Sequence, residues 1–335
     1  MASRIRIAVD CMGGDLGLRT CLPAAVKALS FFPDLNITLV GNEQQITSLL
    51  ETHNHASFSI VHAPDVVTMS DKPTAALKYK KQSSMRVAID LLQQCQVDAV
   101  VSAGNTGALM AMGCLVLKTL PGIDRPAICS SLPTTDGHCF LLDLGANVDC
   151  SAEHLHQFAT MGSVLASAIG GKKNPRISLL NIGEEAGKGN VQVKLADALF
   201  KTDLQLNYIG FTEADRLFDG NADVIVADGF AGNIALKSCE GTASYISGVI
   251  RSGFNRSLVS RVAGLIARPV LKTIFQNLDP QQYNGASFLG LNGVVVKSHG
   301  NSSAEGFFSA IVQARSEVES DMINIMARRL SALSL

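Results

Sequence analysis

Short apolar, β-branched runs recur along the chain. Most are followed by a small polar turn and then by a stretch with helical periodicity. The runs that predict strands are Arg4–Asp10, Asn36–Val40, Phe58–His62, Asp98–Ser102, Cys139–Asp143, Arg176–Asn181, Leu206–Ile209, Asp223–Asp228 and Gly293–Ser298. Between most of them lies room for one helix, as at Gly107–Leu117, Ala152–Ile169, Val191–Phe200 and Asn233–Ile250. This alternation predicts an α/β fold of three layers, a mainly parallel sheet with helices on both faces. The near-continuous apolar runs Val97–Val101 and Val224–Ala227 fit strands covered on both sides. No internal repeat or low-complexity linker interrupts the pattern.

Strand after strand ends in a turn of small and polar residues. Six such turns stand out: Asp10–Asp15, Ser102–Gly107, Asp143–Asn147, Gly183–Gly189, Asp228–Asn233 and Lys297–Asn301. In open α/β sheets the ligand site lies at the carboxyl ends of the strands. Gly, Asn and Asp make turns for conformational reasons alone, so any one loop is uninformative. All six together predict one polar cleft.

At 335 residues the chain has room for about two domains or one two-lobed unit. Its 28 Lys and Arg almost balance its 29 Asp and Glu, and only 5% of residues are aromatic with no Trp. Both facts argue against a general nucleic-acid binder. Charged residues make up 17% and apolar ones 47%, which argues against disorder. No apolar run approaches the length of a bilayer span, and the first ten residues read as a strand, not a signal peptide. The eight cysteines are scattered and form no C-x-x-C pair, as expected of reduced thiols in a cytoplasmic protein. The mean hydropathy of +0.23 is high for such a chain.

Among the loops, Ser102–Gly107 looks most like an anion cradle. Gly104 and Gly107 admit a close ligand, the next helix aims its N-terminus there, and Ser102, Asn105 and Thr106 carry polar side chains. It is neither a Walker A loop nor G-x-G-x-x-G. Gly13, Gly14 and Asp15 of the first loop also lack the dinucleotide fingerprint, so no nicotinamide cofactor is expected. In Asp228–Asn233, Gly229 and Gly232 permit close approach while Asp228 and Asn233 offer polar groups; a plain helix cap explains the pattern equally. Glu184 and Lys188 read either as substrate anchors or as a surface pair. His299, after Lys297, reads either as a turn residue or as an oxyanion donor or proton carrier. The pairs His53/His55 and His154/His156 do not share a helix face, so no metal site is predicted. There is no G-x-S-x-G elbow.

Two basic regions stand out against the neutral total. One is Lys78–Arg86, with Lys80 and Lys81. The other runs over 241–278, with Arg251, Arg256, Arg261, Arg268 and Lys272 and no acidic residue. On a helical projection Phe254, Leu258, Val259, Val262, Leu265 and Ile266 fall within an arc of about 140°, and Arg256, Arg261 and Arg268 lie outside it. A helical element over 245–280 with this pattern suits an anionic membrane surface, a dimer contact, or both.

The loops, in order, resemble the phosphate acyltransferases of bacterial phospholipid synthesis, the PlsX family. The matching segments are Ile7–Asp15, Ser84–Arg86, Ser102–Ala108, Gly122–Pro126, Asp143–Asp149, Leu180–Glu184, Asp228–Asn233, Tyr283–Ala286 and Lys297–Gly300. They span nearly the whole chain. Ala231 replaces the usual Thr of the Asp-Gly-Phe-Thr-Gly-Asn motif, and no long basic tail follows Arg328–Arg329.

The resemblance implies a two-lobed fold similar to phosphotransacetylases and to isocitrate and isopropylmalate dehydrogenases. It implies transfer of a long-chain acyl group from acyl-acyl carrier protein to inorganic phosphate without a cofactor. It further implies a homodimer associated peripherally with the membrane, supplying a downstream acyl phosphate-using acyltransferase. On this reading the Ser102–Gly107 loop holds phosphate, with Asp10, Gly13, Gly14, Asp15, Asn147, Glu184, Gly229, Gly232 and Lys297 around the substrates and positive charge from Lys188 or from Lys80 or Lys81. Asn233 and His299 serve the oxyanion or leaving thiolate, while Asp10 and Asp228 orient other groups. No covalent intermediate is expected, since no activated nucleophile is evident. Two alternatives stay open: short acyl-CoA chemistry at the same loops, and a non-catalytic membrane scaffold.

Overall fold

Eleven strands form one sheet: β1 (Ile5–Asp10), β2 (Leu35–Gly41), β3 (Ser59–His62), β4 (Ala99–Ser102), β5 (Ala127–Thr134), β6 (Gly137–Leu142), β7 (Arg176–Leu180), β8 (Asn207–Thr212), β9 (Val224–Val226), β10 (Ala286–Leu289) and β11 (Val294–Lys297). The helices are α1 (Leu18–Phe31), α2 (Glu43–His53), α3 (Pro73–Tyr79), α4 (Ser84–Gln93), α5 (Thr106–Val116), α6 (Ala152–Ala168), α7 (Val191–Thr202), α8 (Gly229–Asn255), α9 (Leu258–Leu278), α10 (Ala304–Glu319) and α11 (Met322–Leu333). This computed structural model describes residues 4–53, 58–185, 187–278 and 284–333. His55, Ala186, residues 279–280 of the expected basic element and Tyr283 lie outside the described residues. So do the side chains of His53 and Lys272.

Successive residues of the central strands enter opposite cores, which explains why these strands are apolar throughout. Val294 and Val296 of β11, with Ile7 and Val9 of β1, pack with α1 and α10. Val295 and Ala8 point the other way, into a core with α4 and α5. At the far end, Val224 and Val226 of β9 join Phe158 of α6 and Met326 of α11. Ile225 turns to the face that receives Ala235 of α8.

The strand order is β3-β2-β1-β4-β11-β10-β5-β6-β9-β7-β8. All nine expected strands form, and two more appear, β5 and β10. The sheet is mainly parallel, with β10 antiparallel to β11 and β5, and β5 antiparallel to β6. This insert reverses the strand sense, so β6, β9, β7 and β8 run opposite to β1, β4 and β11. The expectation of six loops on one edge is corrected accordingly. The loops leave the sheet as two groups of three, one after β1, β4 and β11, the other after β6, β9 and β7.

Glu317 of α10 is buried over the β10 seam. It accepts from the Ser287 hydroxyl and from the Gln313 amide at 2.9 Å. Burial pushes its pKa up from 4.5 to about 7, against those hydrogen bonds. With the folded value above the unfolded one, its favourable contribution is complete below about 4.5 and is lost as pH rises to about 7. Glu317→Gln is therefore expected to flatten this part of the stability–pH curve. Above pH 7 the variant should gain up to roughly 3 kcal/mol over the wild type. Denaturant unfolding across this range checks it, and parallel curves would contradict it.

Candidate functional site

The first loop group is set by register. Asp10, Ser102 and Lys297 are the last residues of three adjacent parallel strands and stand directly side by side. They lie on the face covered by α4 and α5. The Ser102 hydroxyl donates to Asp10 Oδ2 at 2.6 Å and accepts the Gly104 N–H at 3.0 Å. Asp10 also accepts from the Met12 and Gly13 N–H groups (3.3 and 3.2 Å) and from Ser84 of α4. Burial raises the Asp10 pKa while these bonds oppose the rise. Asp10 thus binds the loops after β1 and β4 into one body.

Lys297 is only 8% exposed. Its Nζ donates to the Ala103 carbonyl at 3.2 Å and to the Ser298 carbonyl. Among the described residues no carboxylate pairs with it. Burial lowers its pKa from 10.5 to about 8, with Asp10 and Asp15 partly restoring it and Lys237 lowering it further. An ammonium has three donors, so one remains after the two carbonyls.

Around this cation the backbone is tightly folded. Gly14 adopts φ +83°, and a Cβ there would lie 2.9 Å from the Gly300 carbonyl. The Asp15 N–H donates to that same carbonyl at 2.8 Å. Asn284 accepts the His299 N–H at 2.9 Å and donates to Ser298 Oγ at 2.9 Å, fixing the loop after β11. Asn105 caps α5 by accepting the Ala108 N–H, and its amide nitrogen donates to the Met69 and Asp71 carbonyls. Thr106 and Gly107 therefore head α5 with their N–H groups at an exposed helix start.

The second loop group turns on Asp143. Its carboxylate accepts from the Ile128, Ala146 and Asn147 N–H groups at 2.9, 3.1 and 2.7 Å, and from the Asn147 side chain at 3.0 Å. Asn147 also donates to the Pro126 carbonyl. Asp228 caps α8 through the Ala231 N–H at 2.8 Å. The Gly229 N–H reaches the Asn147 carbonyl, and Asn233 Nδ2 the Leu144 carbonyl, both at 2.8 Å. Gly232 is forced by contact, since a Cβ would sit 2.0 Å from the Asp143 carbonyl oxygen.

Other residues singled out from the sequence stand apart. Glu184 is exposed and paired with Arg216 at 2.6 Å. Lys188 is exposed in the loop after β7, and Lys81 is exposed beside Lys80, which pairs with Asp71 at 2.6 Å. His154 caps its own helix, and His156 pairs with Asp203. Arg251, Arg256, Arg261 and Arg268 are exposed on α8, α9 and the turn between them. With them, Leu258, Val259, Val262, Leu265, Ile266 and Val270 are each more than half exposed. None of the described helices is long and apolar enough to cross a membrane.

Four residues of the site lie outside the set singled out above: Ser84, Asp143, Lys237 and Asn284. Three belong to quoted segments. Lys237 carries no local signal beyond its place one turn after Asn233.

Comparison with known proteins bears on this geometry. Residues 5–325 match the family model "Fatty acid synthesis protein". A phosphate acyltransferase of Alkalilimnicola ehrlichii is 52% identical over 336 residues, covering 99% of this chain and 98% of that protein. One from Hydrogenovibrio crunogenus is 48% identical over 331 residues, covering 98% of each. Among solved structures, a phosphotransacetylase from Streptococcus pyogenes superposes with a TM-score of 0.63 at 17% identity, covering 95% of each chain. That likeness concerns the fold.

Gly232→Ala tests the second loop group. The added Cβ has to displace backbone, so a stability loss of about 2 kcal/mol and a loss of most activity are expected. Unfolding and turnover measurements on the purified variant check this, and wild-type values for both would contradict the contact.

Proposed function

Because the chain belongs to the phosphate acyltransferase (PlsX) family, we propose that it moves a long-chain acyl group from the thioester of acyl-acyl carrier protein to inorganic phosphate. The acyl phosphate would feed a downstream acyltransferase of phosphatidic acid synthesis. The observation that carries the reading is Lys297, a buried ammonium that pairs with no carboxylate among the described residues and is bound to the Ala103 carbonyl in the loop leading to the exposed N-terminus of α5. Such a cation is complemented by a small dianion.

Phosphate near neutral pH is partly dianionic and already nucleophilic, so the protein needs no strong base. Its work is to hold and orient the anion and to stabilise the thioester oxyanion. Lys297 and the N–H groups of Thr106 and Gly107 hold phosphate. One phosphate oxygen forms a bond to the acyl carbon, the carbon–sulfur bond breaks, and the proton of hydrogen phosphate ends on the departing thiolate. Asn233 and His299, with Lys188 from the exposed loop after β7, serve the oxyanion and the thiolate. Asp10 and Asp228 act through the groups they hold.

The α8–α9 arm supplies the partner surface. Its arginines and exposed apolar residues suit an anionic membrane and the acidic carrier protein. The working unit on this reading is a homodimer bound peripherally to the cytoplasmic membrane face.

Phosphate-dependent release of carrier thiol from long-chain acyl-acyl carrier protein is the direct test, with acetyl-CoA as the competing donor. Preference for acetyl-CoA would contradict the reading. Lys297→Met should raise the phosphate KM by about 10- to 100-fold, the worth of a charge-assisted hydrogen bond. In the wild type, kcat/KM for phosphate should fall as pH rises through about 8, where Lys297 loses its proton. A fall that persists unchanged in Lys297→Met would contradict that assignment. Replacing Arg251, Arg256 and Arg261 with Glu should weaken binding to anionic vesicles or carrier protein, at roughly 1 kcal/mol per residue for a membrane. Unchanged binding to both would remove the arm from the account.

A further inference from the structure

Helix α8 starts in one loop group and reaches the other. Asp228 caps it and Gly232 seats it against Asp143 in the second group. Two turns further on, Lys237 Nζ lies 3.4 Å from His299 Nε2 in the first group. Asn233 and Lys237 are four residues apart and share one helix face, about 6 Å apart along the axis. Nothing in the reaction scheme above uses Lys237.

The contact with His299 has a chemical consequence. An ammonium only donates, so Nε2 of His299 is the acceptor in this contact. Two lysines meet at this corner of the fold. Lys297 rises from β11 inside the fold, and Lys237 comes from α8 at the surface. They are close enough for Lys237 to act on the buried ammonium against mutual repulsion. Facing them are Asp10 and Asp15 from the end of β1, and Glu240 on α8, which pairs with Lys237 at 2.7 Å. Glu240 is an i,i+3 partner on the same helix, an interaction of little strength in water. One ammonium is thus buried against the Ala103 carbonyl of the loop leading to α5, and the other stands on α8 against His299 of the loop after β11, near enough to act on the first.

We propose that Lys237 is the second phosphate-binding cation of the site, placed by α8 opposite Lys297. The inference rests on the reaction assigned above and deepens it. Lys297 grips the dianion from beneath and Lys237 from the α8 side. Asn233, one turn earlier on the same face, then lies a short distance from the bound nucleophile. A single helix thereby sets the spacing between phosphate and the group assigned to the acyl carbonyl.

The test uses the full-length enzyme with long-chain acyl-acyl carrier protein and inorganic phosphate. Lys237→Met is expected to raise the phosphate KM about tenfold, with the KM for the acyl donor unchanged. Its alkaline limb in kcat/KM for phosphate should move to higher pH, because Lys297 loses a like-charged neighbour. Lys237→Arg should recover most of the phosphate affinity and keep the limb where it is. Calorimetric titration with inorganic phosphate alone gives the same ranking without turnover. A Lys237→Met enzyme with wild-type phosphate KM and an unmoved limb would overturn the role of Lys237. So would a loss confined to kcat or to the acyl donor. A wild-type enzyme without phosphate-dependent thiol release would instead overturn the reaction itself.

Discussion

A lysine ammonium buried at the carboxyl end of β11, held by two backbone carbonyls and, among the described residues, by no carboxylate, is the constraint around which the site is organised. Burying a charge without a partner is costly unless something charged regularly completes it. The fold keeps Asp10 and Asp15 near enough to act on Lys297 through space without pairing with it. Asp10 is instead occupied by Ser102, Ser84 and two backbone N–H groups. On the proposed function, the negative charge that belongs beside Lys297 comes from phosphate.

The antiparallel pair β5 and β10 divides the single sheet into two runs of opposite strand sense. By reversing the strand sense it separates the loops into two groups, each tied by its own buried carboxylate. Asp10 binds one, and Asp143 binds the other through four donors. Burial pushes the pKa of both carboxylates up, and hydrogen bonds to each resist the rise. Helix α8 then joins the groups. Its N-terminus is locked to the Asp143 loop, and its second and third turns carry Lys237 to the loop after β11.

Much of this was legible in the sequence. The strands buried on both faces announce themselves as apolar runs, and the polar residues that end them, Asp10, Ser102 and Lys297, are the ones that meet at the site. Their meeting depends on register between distant strands, which no local pattern records. The strands β5 and β10 are illegible for a physical reason. One carries Ser130, Ser131 and Pro133 in its eight residues, and the other, Ala286–Leu289, has no β-branched residue to mark it as a strand. Without them the reversal of the sheet, and the division of the loops, cannot be read. Lys237 is hidden differently. It resembles any surface lysine on a helix, and only the path of α8 across the sheet gives it a second loop group to face. Conversely, Asn105 and Asn147 look like ligand groups in sequence, but their amides bind backbone carbonyls that hold the loops in place.

The most direct measurement is an NMR titration of the lysine side-chain amines, with Lys297 assigned from a Lys297→Arg variant. Lys297 is predicted to titrate near 8 in the free protein, where burial holds it, and to move upward when inorganic phosphate saturates the site. A Lys297 that titrates as an ordinary lysine, or that does not respond to phosphate, would contradict the account.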